Sequence, residues 1–210
     1  MIYYRDDHIT IYHGDCREIA PTLGRFDLLL TDPPYGIDVD NRKQILSRGK
    51  LATPKDYGDS CWDKEPVDDI LLTEIRRLCE KQIIFGGNYF TLPPTTCWLV
   101  WDKLNGDTDF ADCELAWTNL KKAVRRKTHL WNGMIRKGGE DRYHPAQKPL
   151  EVITWALGHA GEVKTIFDPF AGSGTTGRAA KDLGLHCTMI EREERYCEIA
   201  AKRMAQEILF

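Results

Sequence analysis

The chain has 210 residues, a formal net charge of −3, 42% hydrophobic and 29% charged residues, the balance of a globular protein of about one domain. No apolar run approaches the roughly 18 residues that cross a bilayer, and residues 1–7 carry acid where a secretory leader would be basic and then apolar. Seven dispersed cysteines with no C-x-x-C pair argue against a disulfide framework and a closed zinc site, and suit small buried residues in a reducing compartment.

In chain order, 9–13 and 26–31 are expected strands, 67–81 a helix, and 82–85, 97–101 and 113–117 strands. Residues 149–159 are then an expected helix, 164–167 a strand, 175–183 a helix, 186–190 a strand and 193–208 a helix. That last helix places Tyr196, Ile199, Ala200 and Met204 on one core-facing stripe. Several strands are continuous apolar runs that end in polar, Gly or Pro residues, as buried parallel strands do. The alternation predicts a single α/β domain over 1–210, a mostly parallel sheet with helices on both faces. Two segments break the rhythm. Residues 36–64 are long and polar, with Gly36, Gly49, Pro54 and Gly58, and predict a mobile functional loop. Residues 119–147 predict a short basic insert with little sheet.

The net charge hides an uneven distribution. Residues 119–148 hold nine basic side chains (Lys121, Lys122, Arg125, Arg126, Lys127, Arg136, Lys137, Arg142 and Lys148) against Glu140 and Asp141. Residues 41–55 carry Arg42, Lys43, Arg48, Lys50 and Lys55 with no acid. A charge run is commonly a solvated face, but two basic segments in an otherwise acidic chain point to a polyanion contact.

Two motifs carry chemistry. The strand 26–31 runs into Asp32-Pro33-Pro34-Tyr35, and ligands of open α/β sheets bind beyond the carboxyl ends of strands. The prolines stiffen the turn and leave carbonyls free to accept. Asp32 and the Pro33 carbonyl can each accept one N–H of an exocyclic amine, with Tyr35 as a stacking plate; a purely structural turn is the alternative. The second motif is the strand 164–167 followed by Asp168-Pro169-Phe170-Ala171-Gly172-Ser173-Gly174-Thr175. Strand, glycine turn and helix bring backbone close to a nucleotide-like ligand. Glu191 closes the next strand at a distance suited to ribose hydroxyls. Taken alone, this half also suits a nicotinamide dinucleotide.

Together, in this order, the two motifs resemble those of the permuted β group of DNA amino-methyltransferases. His144-Pro145-Ala146-Gln147-Lys148-Pro149 is similar to the H-P-x-x-K-P segment ahead of their cofactor loop, His13-Gly14-Asp15-Cys16 to their N-terminal G-D-C element, and the strand 98–103 to a later strand of the catalytic half. The resemblance covers most of the chain. It implies a Rossmann-like methyltransferase fold with circularly permuted motif order, and S-adenosylmethionine as cofactor without a metal. It further implies Asp168 at the methionine amine, with Phe170, Ala171, Gly172 and Gly174 shaping the pocket, and Ser173, Thr175 and Lys148 at the methionine carboxylate. Glu191 would hold the ribose, and Asp15 beside Cys16 the cofactor adenine. Asp15 and Thr175 serve equally as helix caps.

The same resemblance implies methylation of double-stranded DNA in a bacterial or phage setting, within the cytoplasm. Asp at the first motif position leans to adenine N6, with cytosine N4 the alternative. A Pro-Cys nucleophile for carbon methylation is missing, because Tyr35 follows Pro34. The target base would be flipped out, at a cost of a few kcal/mol. Arg42, Lys43, Arg48, Lys50, Lys121, Lys122, Arg125, Arg126, Lys127, Arg136 and Lys137 would hold phosphates. The region corresponding to target recognition is short, which leaves open a short site, loose specificity or recognition shared across a homodimer. A restriction endonuclease partner is unassigned by any residue.

Overall fold

The computed structural model describes residues 1–37, 65–106, 111–131, 143 and 146–206. Nine strands, β1 (Ile2–Arg5), β2 (Ile9–His13), β3 (Phe26–Thr31), β4 (Cys79–Phe85), β5 (Trp98–Asp102), β6 (Cys113–Thr118), β7 (Arg125–Thr128), β8 (Thr165–Asp168) and β9 (His186–Glu191), form one sheet among these residues. Its order is β1-β2-β9-β8-β3-β4-β6-β5-β7. The pairs from β2 through β9, β8 and β3 to β4 are parallel, and so is β5 with β7; β1 with β2 and both partners of β6 are antiparallel. The described helices are α1 (Cys16–Ile19), α2 (Asp69–Arg77), α3 (Leu150–His159), α4 (Thr175–Asp182) and α5 (Glu194–Ala205).

Successive side chains of a strand point to opposite faces, and the central strands divide accordingly. Leu28 and Leu30 join one apolar cluster and Leu29 the other; Ile83 and Phe85 oppose Ile84, and Cys187 and Met189 oppose Ile190. Val152 and Ala156 of α3, Ala179 of α4 and Ala200 of α5 cover the first face. Cys16 of α1 and Leu71, Leu72 and Ile75 of α2 cover the second. Both faces are covered, which is why the inner stretches of these strands, Leu28 to Leu30 and Ile83 to Phe85, are apolar. The fold is Rossmann-like, with a mostly parallel sheet between helical layers.

β8 continues through α4 to β9 on one side, whereas β3 continues to β4 on the other. The winding reverses between β8 and β3, which pair at Leu28↔Ile166 and Leu29↔Phe167. A crevice at such a reversal is where open sheets hold ligands. Strand direction then decides what borders it. Thr31, Asp168 and Glu191 end β3, β8 and β9 at this edge, and antiparallel β6 brings its beginning, Cys113-Glu114, to the same edge.

Three local outcomes differ from the sequence expectation. Residues 79–81 belong to β4 rather than to the preceding helix: Phe26 N donates to Leu78 O at 2.8 Å and Cys79 aligns with Phe26, so ladder bonds to β3 outweigh the helical propensity of Glu80 and Lys81. β1 and β7 are edge strands without the buried apolar run that marks a central one. β7 also places a strand within the basic segment expected to hold little sheet. Residues 38–64, most of the expected loop, and 132–142 with 144–145 lie outside the described residues. Cys16, Cys79, Cys97, Cys113, Cys187 and Cys197 are free thiols; Cys61 lies outside the described residues.

Candidate active site

At the end of β3 the two prolines interrupt the ladder, and the turn is fastened from the far side by Val67 N donating to Pro34 O at 3.1 Å and by a single bridge between Tyr35 and Pro66. The Asp32 carboxylate emerges with both oxygens engaged. Tyr35 OH donates to Oδ1, and Lys148 Nζ lies 2.5 Å from Oδ2. Lys148 also stands 3.2 Å from Glu114 Oε2, and Glu114 Oε1 is ion-paired with Lys103. Acid and base thus alternate along Asp32, Lys148, Glu114 and Lys103, two of each sign, so that a buried lysine (6% exposed) carries no uncompensated charge. Burial raises the Asp32 carboxyl, an effect Lys148 opposes. At Glu114 burial acts upward too, but Lys148 and Lys103 prevail and draw the carboxyl down to about 2.

The Tyr35 ring is stacked on Tyr89, with centroids 4.8 Å apart and planes 14° from parallel, and meets Phe90 edge-on. Beneath it Gly86 has φ +64°, and a Cβ there would lie 2.1 Å from Tyr35 Cε1. Glycine is required twice over, by the left-handed backbone and by the ring.

At the end of β8 the chain enters the glycine turn. Gly174 has φ +78° and presses on α5, where a Cβ would come 2.8 Å from Ala200 Cβ. Arg203 of α5, itself buried, donates to Ser173 O at 2.7 Å and to Thr175 Oγ1 at 3.2 Å, bracing the turn from behind. Asp168 Oδ1 accepts from Thr31 Oγ1 at 2.7 Å and from Phe170 N at 3.2 Å. Burial still raises its carboxyl to about 6. Glu191 accepts from Gly172 N and Glu193 N, each at 2.7 Å, and burial raises it as well. Asp15 caps α1, accepting from Arg17 N at 2.8 Å.

Both turns open into one cavity of about 440 Å³. Of the residues singled out in the sequence, Asp15, Cys16, Asp32, Pro34, Lys148, Asp168, Phe170, Ala171, Gly172, Ser173, Thr175 and Glu191 line it. Pro33, Tyr35 and Gly174 are not among its lining residues. Lys148 lies in this lining with its ammonium on Asp32 and Glu114. The sequence reading missed Glu65, Val67, Gln147, Arg192 and Tyr196, all in the lining, and the supporting Glu114 and Arg203. Tyr196, on the core-facing stripe of the last helix, is both buried and part of the lining. A carboxylate near the start of the apolar run 113–117 was the available signal for Glu114.

The basic residues divide. Lys121, Lys122 and Arg125 are exposed, with Lys122 Nζ donating to His159 O at 2.7 Å. Arg126 is 3.8 Å from Asp102, and Lys127 is paired with Glu151 at 2.6 Å. Because β7 runs parallel to β5, its Thr128 end meets the edge that carries the cavity. Arg42, Lys43, Arg48, Lys50, Lys55, Arg136, Lys137 and Arg142 lie outside the described residues.

The lining holds six carboxylates, Asp15, Asp32, Glu65, Asp168, Glu191 and Glu193, against Arg17, Lys148 and Arg192. Such an excess favours a cationic ligand. Glu191 and Asp168, at the ends of neighbouring strands, can face a ribose and an ammonium, and the closely packed glycine turn leaves room for the chain between them. The residues present fit a nucleoside that bears a sulfonium and an amino acid.

A family model described as DNA methylase (N6_N4_Mtase) matches residues 93–202, slightly more than half of the chain. The type II methyltransferase M.ScaI of Streptomyces caespitosus is 26% identical, over 98% of this chain and 84% of that protein. Among solved structures, an M1.HpyAVI–SAM complex superposes with a TM-score of 0.61 at 22% identity, covering 94% of this chain and 100% of that one. The cytosine-N4-specific PvuII DNA methyltransferase superposes with a TM-score of 0.59 at 13% identity, covering 100% and 90%.

Proposed function

The chain belongs to the DNA methylase family, and from that premise we propose that it methylates adenine N6 in double-stranded DNA, using S-adenosylmethionine. The observation that carries the reading is the meeting of Asp32 with Asp168 and Glu191 in one cavity at the reversal of the sheet. A solved relative of the same fold is a SAM complex, and the acid-rich lining suits that ligand. Asp168 would hold the methionine ammonium and Glu191 the ribose hydroxyls. Asp15 and Cys16 border the adenine end, and Phe170, Ala171, Gly172, Ser173 and Thr175 form the wall between.

When bound, S-adenosylmethionine supplies a methyl group already activated on a sulfonium. The chain's own task is to present a nucleophile to it. An exocyclic adenine amine is a weak nucleophile, its lone pair delocalised into the ring. Asp32 and the Pro33 carbonyl, accepting its two N–H bonds, would favour the pyramidal nitrogen that attacks. Positioning of this kind supplies much of the acceleration in a transfer between two bound partners. The amine is inaccessible within a duplex, so the base would be flipped out, with Tyr35, whose OH donates to Asp32, as its stacking partner once that ring parts from Tyr89; stacking contributes about 1–3 kcal/mol per base. Lys121, Lys122 and Arg125, with the basic residues of 41–55 and 136–142, would hold phosphates.

The reading is tested by incubating the purified protein with unmethylated duplex DNA and isotope-labelled S-adenosylmethionine, then digesting to nucleosides for mass spectrometry. Labelled N6-methyladenine is the expected product. N4-methylcytosine would reassign the base, and an absence of labelled nucleoside would refute the activity.

A further inference from the structure

Lys148 faces two carboxylates, and only one of them belongs to the catalytic turn. Resting on the methylation reading above, we propose that Glu114 is a positioning residue for the transfer. It serves as the second counter-ion of Lys148, and its presence allows Asp32 to take up the proton that the methylated amine releases.

The argument begins with charge. Lys148 is 6% exposed, 2.5 Å from Asp32 Oδ2 and 3.2 Å from Glu114 Oε2. Its Nζ also lies 5.7 Å from the centre of the Phe85 ring and 5.5 Å from that of Tyr35, surroundings that solvate an ammonium far less than water does. While Asp32 is ionised, Lys148 is compensated twice. The transfer changes that. As the amine lone pair forms the new N–C bond and the C–S bond electrons remain on sulfur, the nitrogen acquires a positive charge. It regains neutrality when its N–H bond breaks, the electron pair staying on nitrogen and the proton passing to an Asp32 oxygen. Asp32 is now neutral, and without Glu114 the ammonium would be a buried cation lacking a counter-ion, a state that poorly solvating surroundings strongly disfavour. Glu114 removes that penalty from the proton-loaded state. Asp32 re-ionises by releasing the proton to water when the product leaves.

The geometry also explains why Glu114 is shared. Lys103 holds its Oε1, which leaves Oε2 toward Lys148, and its neighbour across the strand pair is Trp101, whose ring lies 4.9 Å below Lys103 Nζ. Among the described residues, the charged and titratable groups acting on Asp32, directly or through a neighbour, include Lys148 from the segment before α3, Glu114 from β6, Lys103 beyond β5, Tyr35 from its own turn and Asp168 from β8. Removing the Glu114 charge leaves Lys148 to act on Asp32 alone. Asp32 then holds its ionised form more firmly and becomes a weaker base.

The test is the pH dependence of kcat at saturating cofactor and DNA, so that titration of Asp168 in cofactor binding stays out of the profile. For Glu114→Gln the expected result is a fall in plateau kcat of about tenfold or more, together with an acid limb displaced to lower pH, because a stronger acid is a poorer proton acceptor. Cofactor affinity by calorimetry should stay near wild type, and Glu114→Asp should restore part of the rate. Lys103→Met, at the outer end of the array, should move the acid limb the opposite way, which keeps the proposal falsifiable should Glu114→Gln fold poorly. A Glu114→Gln enzyme with the wild-type plateau, or acid limbs unmoved in the variants that fold, would overturn the role. A wild-type protein that transfers no methyl group to DNA would instead overturn the methylation reading and this proposal with it.

Discussion

Thr31 Oγ1 donates to Asp168 Oδ1 at 2.7 Å, joining residues 137 positions apart at the ends of the two strands that flank the reversal of the sheet. The bond ties the turn that would present the base to the turn that would hold the cofactor. It also favours the ionised form of a carboxyl that burial pushes up to about 6.

Replacing Thr31 by Val keeps the shape and removes the donor. A hydrogen bond to a charged group contributes about 1.5–3 kcal/mol, and the loss should fall mostly on the ionised state. Thr31→Val should therefore lower thermal stability more at pH 7.5 than at pH 5, where Asp168 is largely protonated in the folded protein. Equal destabilisation at both values, read from melting curves, would count against the bond's preference for the anion.

On the role proposed for Asp168, cofactor binding should depend on pH. Its folded pKa is raised, so folding is favoured most below the unfolded carboxylate range, and that contribution is lost as pH rises through about 6. Pairing with an ammonium requires the anion, so the sign for binding is the reverse. Affinity for S-adenosylmethionine should fall as pH drops below about 6, approaching tenfold per unit. Asp168→Asn should bind weakly and flatten the dependence in calorimetric titrations.

Asp32→Ala should reduce methyl transfer by about 10²–10⁴-fold, the range for a group that handles a proton in the transition state. Cofactor binding should change far less, since Asp168, Glu191 and the glycine turn remain. Single-turnover rates beside calorimetry measure the two effects separately; transfer at the wild-type rate would remove Asp32 from the mechanism.

Gly86→Ala forces a Cβ into the Tyr35 ring and a left-handed φ onto alanine. A stability loss of about 1–3 kcal/mol is expected, with kcat reduced because Tyr35 no longer orients Asp32. Cofactor affinity should change less, as β3 stands between the Gly86 turn and the glycine turn in the sheet order. An active, fully stable variant would show that the ring can yield.

The exposed Lys121 and Arg125 should contribute to DNA affinity through phosphates. Changing both to Gln should lower the slope of log affinity against log salt by up to about 2. An unchanged slope would place the DNA elsewhere.

The strands other than β1 and β7, the helices α2 to α5 and the two motifs were legible in the chain because each rests on local rules. A buried parallel strand must be apolar where helices cover both of its faces, as Leu28, Leu29 and Leu30 are. A turn that stops a ladder calls for the prolines of 33 and 34, and a close turn calls for glycines such as Gly172 and Gly174. Edge strand β7 escaped because its exposure removes the apolar pattern that would mark it.

What local rules could not determine was who meets whom. Lys148 and Asp32 are 116 positions apart, and nothing near either residue says that they pair. Their meeting follows from strand order and direction, which set the ends of β3 and β8 beside the beginning of β6. A charge in low dielectric is then obliged to find its partner across the fold. The residue types and the turns belong to the amino-acid order alone; the linked array from Asp32 through Lys148 and Glu114 to Lys103 exists only once the sheet has closed around it.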